Sequence, residues 1–259
     1  MDYNKEFLKL AHELANSVNE TVNRNFRNTS NWKIKPSVDE QRNQILTETD
    51  IECEKIMRRL INNKYPKHGI IGEELGNENE DAEFVWVLDP VDGTKAFVAG
   101  LPVFGCMIGL MANNIPVLGV IDQPVTGERI WGSKDGSYLN GIIIKTRKCN
   151  SIEKAICAIT DPSMFFSHEN IYSEIIEKVL FVRHGTDCWG YAMCAAGTID
   201  LVIESDLKIW DIAATVPILI AAGGKITPWE GEDLLNTNSI IASGDPYLHD
   251  ICREFLKAK

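Results

Sequence analysis

No stretch of the 259-residue chain approaches the ~18 unbroken apolar residues of a membrane span, so a transmembrane role is not expected. Its opening segment, MDYNKEFLKLAHELANSVNE, is acidic and amphipathic and resembles neither a signal nor a transit peptide. Seven cysteines are scattered, and no CxxC or Cys/His spacing marks a zinc site. Cys106, Cys157 and Cys194 sit inside apolar runs and read as reduced core residues, which points to a cytoplasmic location. Basic charge is in deficit: 26 Lys+Arg against 37 Asp+Glu leave a net charge of −11. Nucleic acid is therefore not the expected partner, because a phosphate backbone demands a basic surface. A small phosphorylated metabolite stays compatible, since divalent cations held by a few carboxylates reverse the local sign. Internal repeats and low-complexity linkers are also missing.

What is present is the composition of an ordinary globular protein, long enough for one large domain or two packed halves. Residues 5–27 carry apolar positions at helical spacing. Residues 28–46 are polar, broken by Pro36, and read as a loop or hairpin. A second helix is expected over 48–63, with Thr47 or Thr49 as its N-cap. Strand-like stretches follow at 84–88 and on either side of Asn113-Asn114, a turn pair. Residues 1–150 thus suggest two helices on an antiparallel meander. Residues 151–259 alternate strand and helix, with 210–222 as one apolar helix closed by Gly223-Gly224. The two halves are expected to meet near 145–155 and to pack as one unit.

Four acids stand where apolar elements end: Glu73, Asp89, Asp92 and Asp211. Asp89 follows FVWVL, and the C-terminal ends of strands are where α/β chemistry gathers. In DPVDGT, Pro90 fixes φ and Gly93 permits a turn closed to other residues, so a rigid bend can aim Asp89 and Asp92 at one point. The same bend can present the Val91 carbonyl there, and the amides of Gly93 and Thr94 can form an anion nest. The plainer alternative is a capped turn, with Asp211 a mere helix-start acid. Glu73, Asp211 and the Thr94 hydroxyl together favour a site, and oxygen-only donors suit Mg²⁺. Glu74 reads as exposed or as a supporting acid.

GEELG, WVLDPVDGTKAFVAGLPVFG and WDIAATVPILIAAGG, in this order and spacing, resemble the inositol monophosphatase-like family of metal-dependent phosphatases, over nearly the whole chain. The resemblance implies an α+β or α/β fold, a layered αβαβα sandwich, and Mg²⁺-dependent hydrolysis of a phosphate monoester. It places Glu73, Asp89 and the Val91 carbonyl on one metal, and Asp89, Asp92 and Asp211 on a second. It gives Glu73 and Thr94 the attacking water, and the Gly93 and Thr94 amides the phosphate. Gln44 stands where inositol-phosphate-cleaving members carry an Asp that supports a third ion, so two ions are expected. A homodimer is common in the family and is expected here.

RHGTDCWGYAMCAAGTIDLVIESDLKIWD resembles the histidinol-phosphate phosphatase branch. By that match Arg183, Asp187 and Glu204 face the substrate alcohol, and carboxylates suit the cationic histidinol. Each has a plainer reading: Asp187 as a helix cap, Arg183 in a surface pair, Glu204 equally suited to an inositol hydroxyl. Trp189 and Tyr191 read as core or rim aromatics, Asp200 and Lys208 as surface or supporting residues, and His184 as uninvolved. Competing functions are a phosphatase for a sugar bisphosphate or a 3′-phosphoadenosine nucleotide, or a regulatory, RNA-associated scaffold. The first two would need more basic residues near the motifs, and the intact carboxylate set counts against the scaffold.

Overall fold

The computed structural model describes residues 3–28, 32–35 and 44–257. Within 28–46, residues 29–31 and 36–43, Pro36 included, lie outside the described residues, and Gln44 is described only through its backbone. Helix α1 (Tyr3–Asn25) turns Phe7, Leu10, Ala11, Leu14, Val18 and Val22 inward, as its spacing predicts. Strands β1 (Trp32–Lys35) and β2 (Gln44–Thr47) pair antiparallel, the hairpin alternative for this segment. Helix α2 (Glu48–Lys64) starts at Thr47, whose side chain accepts from the Asp50 N–H while Asp50 accepts from the Thr47 N–H.

Strands β3 (Gly69–Gly72), β4 (Gly76–Glu78) and β5 (Phe84–Asp92) come next, then the short helix α3 (Thr94–Ala99). After it run β6 (Gly105–Ala112), β7 (Ile115–Gln123), β8 (Glu128–Ser133), β9 (Gly136–Leu139) and β10 (Ile142–Ile143). Asn113 and Asn114 take positive φ in the β6–β7 turn, which the amide side chain tolerates. These strands form a sheet ordered β10-β9-β8-β7-β6-β5-β3-β4. It departs from a pure meander: β3 runs parallel to β5.

The second half supplies β11 (Ile156–Ile159), α4 (Glu169–Lys178), β12 (Phe181–His184), α5 (Asp187–Ala195) and β13 (Leu201–Ser205). It ends with α6 (Ile209–Ile212), α7 (Thr215–Ala222), β14 (Lys225–Pro228), β15 (Ser239–Ser243) and α8 (Pro246–Lys257). Its sheet, β12-β11-β13-β15-β14, is parallel across the first three strands and antiparallel across the rest. The single helix expected over 210–222 is two. Pro217 has no N–H to bond the Ala213 carbonyl, so the helical ladder breaks there. Gly223, at φ 102°, closes α7 as expected.

Strand alternation sorts the core into layers. Trp86, Leu88, Ile108 and Val120 pack on α1 and α2, whereas Met107, Ile121 and Ile130 face α5 and α7. In the other sheet Ala158 and Val202 face those same helices, and Cys157, Ile159, Leu201 and Ile203 face α4 and α8. The result is the expected αβαβα sandwich. A row of cross-strand partners, Gly109, Gly119 and Gly132, lets α6 and α7 come close. A Cβ on Gly119 or Gly132 would strike the backbone of Ala214 or Ile218, and one on Gly109 would press on Ala213.

Candidate metal centre

Asp89 lies in β5 itself, which continues to Asp92 through a register irregularity against β6. The expected sharp loop is thus an irregular strand end. Among the ladder partners Gly72 faces Leu88 in the parallel β3, so the next residues, Glu73 and Asp89, emerge side by side. The Glu73 N–H donates to the Leu88 carbonyl at 3.2 Å. Gly93 takes φ 82° and opens α3 without a side-chain cap, so Asp92 does not cap that helix. The Val91 N–H donates to Asp89 Oδ1 at 3.1 Å, and the Thr94 hydroxyl donates to the Val91 carbonyl at 3.1 Å.

Asp211 is carried in from the second half by α6. Its Oδ2 accepts the Lys208 N–H at 2.7 Å, so it does act as a helix-start acid. It does more than that: Asp89, Asp92 and Asp211 each bring an oxygen within 4.8 Å of the others. A cleft of about 600 Å³ is lined by these three with Glu73, Glu74, Val91, Gly93, Thr94, Lys208 and Trp210. Glu74 and Lys208 therefore face the cleft, in keeping with the supporting role that the sequence left open for both.

Burial pushes Asp89 well above the ordinary carboxylate range, and the neighbouring charges raising it further are all acids: Glu73, Asp92, Asp211 and Asp50. Burial also lifts Asp92 to about 6, against the hydrogen bond from the Cys188 N–H at 2.6 Å. Asp211 is raised first by burial and then by Asp92. Like charges crowded in a dry site cost free energy unless a cation joins them. The donor set fits a hard divalent cation: carboxylate oxygens, a backbone carbonyl and room for water.

The alcohol-facing candidates divide. Asp187 has φ 44° and sits against the segment from Asp89 to Thr94, where a Cβ on Gly93 would meet its carboxyl group. It lines a cleft of about 220 Å³ with Glu73, Gly93, Thr94, Lys95, Thr160, Asp161, Ser163 and Asp206. Burial, then Asp92 and Glu204, lift it to about 8. Asp187 begins α5, but the cap position belongs to Thr186. Glu204 is buried beneath this cleft and occupied. Its Oε1 accepts the Thr160 N–H at 3.1 Å and the Thr160 hydroxyl, and its Oε2 accepts the Tyr191 hydroxyl at 2.8 Å. The Asp187 N–H donates to Thr160 Oγ1 at 3.0 Å, so Glu204 reaches Asp187 through Thr160. Arg183 is exposed on the edge strand β12 and lines neither cleft.

Tyr191 is thus a buried hydrogen-bond donor, and His184 pairs with the Tyr172 hydroxyl at 3.0 Å. Asp200 is not a surface residue. It is buried and bidentate with Arg147 at 2.6 and 2.5 Å, and it also accepts the Ile156 N–H at 2.8 Å at the root of β11. Sequence reasoning passed over Thr160, Asp161 and Lys95. Thr160 and Asp161 directly follow the apolar run ICAI, the signal that singled out Asp89. Lys95 and Asp161 pair at 3.1 Å, joining the first half to the second.

Comparison with known proteins decides the family. The inositol monophosphatase family matches residues 3–258. The chain belongs to the inositol monophosphatase family. Its members are metal-dependent phosphoric monoester hydrolases. The bifunctional phosphatase IMPL2 of Arabidopsis thaliana is 38% identical over 97% of this chain and 75% of its own length. A histidinol-phosphatase of Streptomyces coelicolor is 28% identical over 94% of each chain. The solved inositol monophosphatase of Zymomonas mobilis superposes with a TM-score of 0.86 at 34% identity, over 99% of both chains. No described helix is long and apolar enough to cross a membrane.

Proposed function

We propose that this family member hydrolyses a small phosphate monoester, histidinol phosphate or inositol monophosphate, with two Mg²⁺ ions. The observation that carries the reading is the mutual approach of Asp89, Asp92 and Asp211 in a cleft shared with Glu73. Glu73, Asp89 and the Val91 carbonyl would hold one ion; Asp89, Asp92 and Asp211 would hold the other. When bound, the ions supply a lowered pKa for water and neutralise charge on the breaking ester. Glu73 and the Thr94 hydroxyl hold the attacking water, and Glu73 takes its proton. The first amides of α3, at Gly93 and Thr94, grip the phosphate, since a helix start has no internal acceptors for them.

The alcohol then lies toward Asp187 and Asp161. The acidic lining supports a cationic alcohol, which favours histidinol phosphate, in keeping with the relative that bears that name. Arg183 enters this reading only through a second subunit or a neighbour; the exposed Leu180 and Phe181 beside it support a homodimer. Residues 1–150 and 151–259 act as two halves of one unit, because Asp211 and Asp187 complete a site begun by Glu73 and Asp89. Seven free, buried cysteines suit a reducing compartment such as the cytoplasm.

A phosphate-release screen with Mg²⁺ tests the proposal. The substrates are histidinol phosphate, inositol 1-phosphate, fructose 1,6-bisphosphate and 3′-phosphoadenosine 5′-phosphate. Turnover should be highest on one of the first two; preference for a bisphosphate would replace the reading.

A further inference from the structure

The side of α2 facing the site carries three charged residues one turn apart, Asp50, Glu54 and Arg58, all buried. Asp50 belongs to the capping box. The other two do work that capping does not explain. The Glu54 carboxylate accepts the Glu74 N–H at 2.8 Å and the Leu75 N–H at 3.2 Å. Arg58 Nε donates to Glu54 Oε1 at 2.7 Å. The guanidinium also reaches Glu78 Oε1 at 2.8 Å and the Gly76 carbonyl. Gly72 makes room for this pair, since a Cβ there would land on the Glu54 carboxylate and the Arg58 guanidinium.

The backbone around Glu73 is consequently held from two sides. Its own N–H is bonded to the Leu88 carbonyl, one residue before Asp89, and the next two N–H groups are bonded to Glu54. A fully buried carboxylate whose donors are two consecutive amides and a guanidinium has little freedom to move. The turn it grips has no apolar anchor of its own: Leu75, at its apex, is 40% exposed.

We infer that Glu54, locked by Arg58, is a positioning residue for Glu73, fixing the β3–β4 turn so that Glu73 meets Asp89 at the geometry a metal ion requires. The inference rests on the proposed role of Glu73 as a metal ligand. Residues that orient metal ligands commonly set affinity by about 10- to 100-fold. Glu54→Gln keeps the shape but loses an anionic acceptor. Gly72→Ala removes no carboxylate but displaces the pair. Glu78, half-exposed at the far end of the guanidinium, gives a control in Glu78→Gln.

The experiment is calorimetric titration of the metal-free full-length protein with Mn²⁺ and with Mg²⁺, beside thermal unfolding in EDTA and the Mg²⁺ dependence of phosphate release. Glu54→Gln and Gly72→Ala should each raise the metal dissociation constant about tenfold or more. Saturating Mg²⁺ should restore most of kcat, and Glu78→Gln should stay within about twofold of the parent. Glu54→Asp, which keeps the charge, should recover part of the loss. A fall in melting temperature with unchanged metal affinity in both Glu54→Gln and Gly72→Ala would overturn the inference and leave Glu54 a purely structural residue. If the parent protein itself binds neither cation, the reading of Glu73 fails instead, and the two failures are told apart by the parent titration.

Discussion

Two buried carboxylates, one in each half of the chain, meet opposite fates. Glu204, in β13, is enclosed by donors from Thr160 and Tyr191, so the protein itself satisfies it. Asp89, at the end of β5, accepts from the Val91 N–H but is ringed by Glu73, Asp92, Asp211 and Asp50. Both are raised, and in both the first cause is burial. The difference lies in what surrounds them. Hydrogen-bond donors make Glu204 a fixed part of the fold, whereas neighbouring acids leave Asp89 in a crowd of like charge that a cation would relieve.

The strongest way to break this comparison is Asp89→Asn. Phosphate release should fall by on the order of 10³-fold or more, since the residue is proposed to bridge both ions. The circular dichroism spectrum should not change. The melting temperature in EDTA should hold or rise, because one of the crowded charges is gone. Glu204→Gln should do the reverse, destabilising the fold by about 1–3 kcal/mol as buried donors lose their acceptor. If the two variants shift the melting temperature in the same direction, the contrast is wrong.

A pH series sharpens it. Asp92 at about 6, Glu204 at about 7 and Asp187 at about 8 all lie above their unfolded values. Between the unfolded and folded values the native state holds more protons than the unfolded chain. Metal-free protein should therefore lose stability as pH rises from about 4 to about 8. Divalent cations bind the deprotonated acids, so the melting-temperature gain from Mg²⁺ should be small at pH 5 and largest near pH 8. A gain that shrinks with rising pH would contradict the arrangement. The smallest expected effect is in specificity. Asp187→Asn should lower kcat/KM for histidinol phosphate about tenfold, the scale of one charge-assisted contact, and for inositol 1-phosphate much less. Equal losses would remove Asp187 from alcohol recognition.

The acids of DPVDGT and the Trp-Asp pair stood out through their company: each alone reads as a capped turn or a helix-start acid, and it is in the fold that Asp89, Asp92 and Asp211 meet. Glu204 was legible only as an acid; that Thr160 and Tyr191 consume it is a long-range pairing with no local signal. Glu54 and Arg58 were hidden for a similar reason. At four-residue spacing on a polar helix they look like an ordinary surface ion pair, and only the packing of β3 beneath them turns the pair inward.

The sequence by itself determined the local elements, the apolar faces and the identity of the oxygen donors, because periodicity, turn chemistry and side-chain type are properties of short segments. The tertiary structure alone decided which donors meet. Asp211 reaches Asp89 because Gly109, Gly119 and Gly132 align across three strands and admit α6 and α7 to backbone contact. Glu73 reaches Asp89 because β3 lies parallel to β5 at one register. Neither approach is written in any window of neighbouring residues; both follow from packing surfaces far apart in the chain.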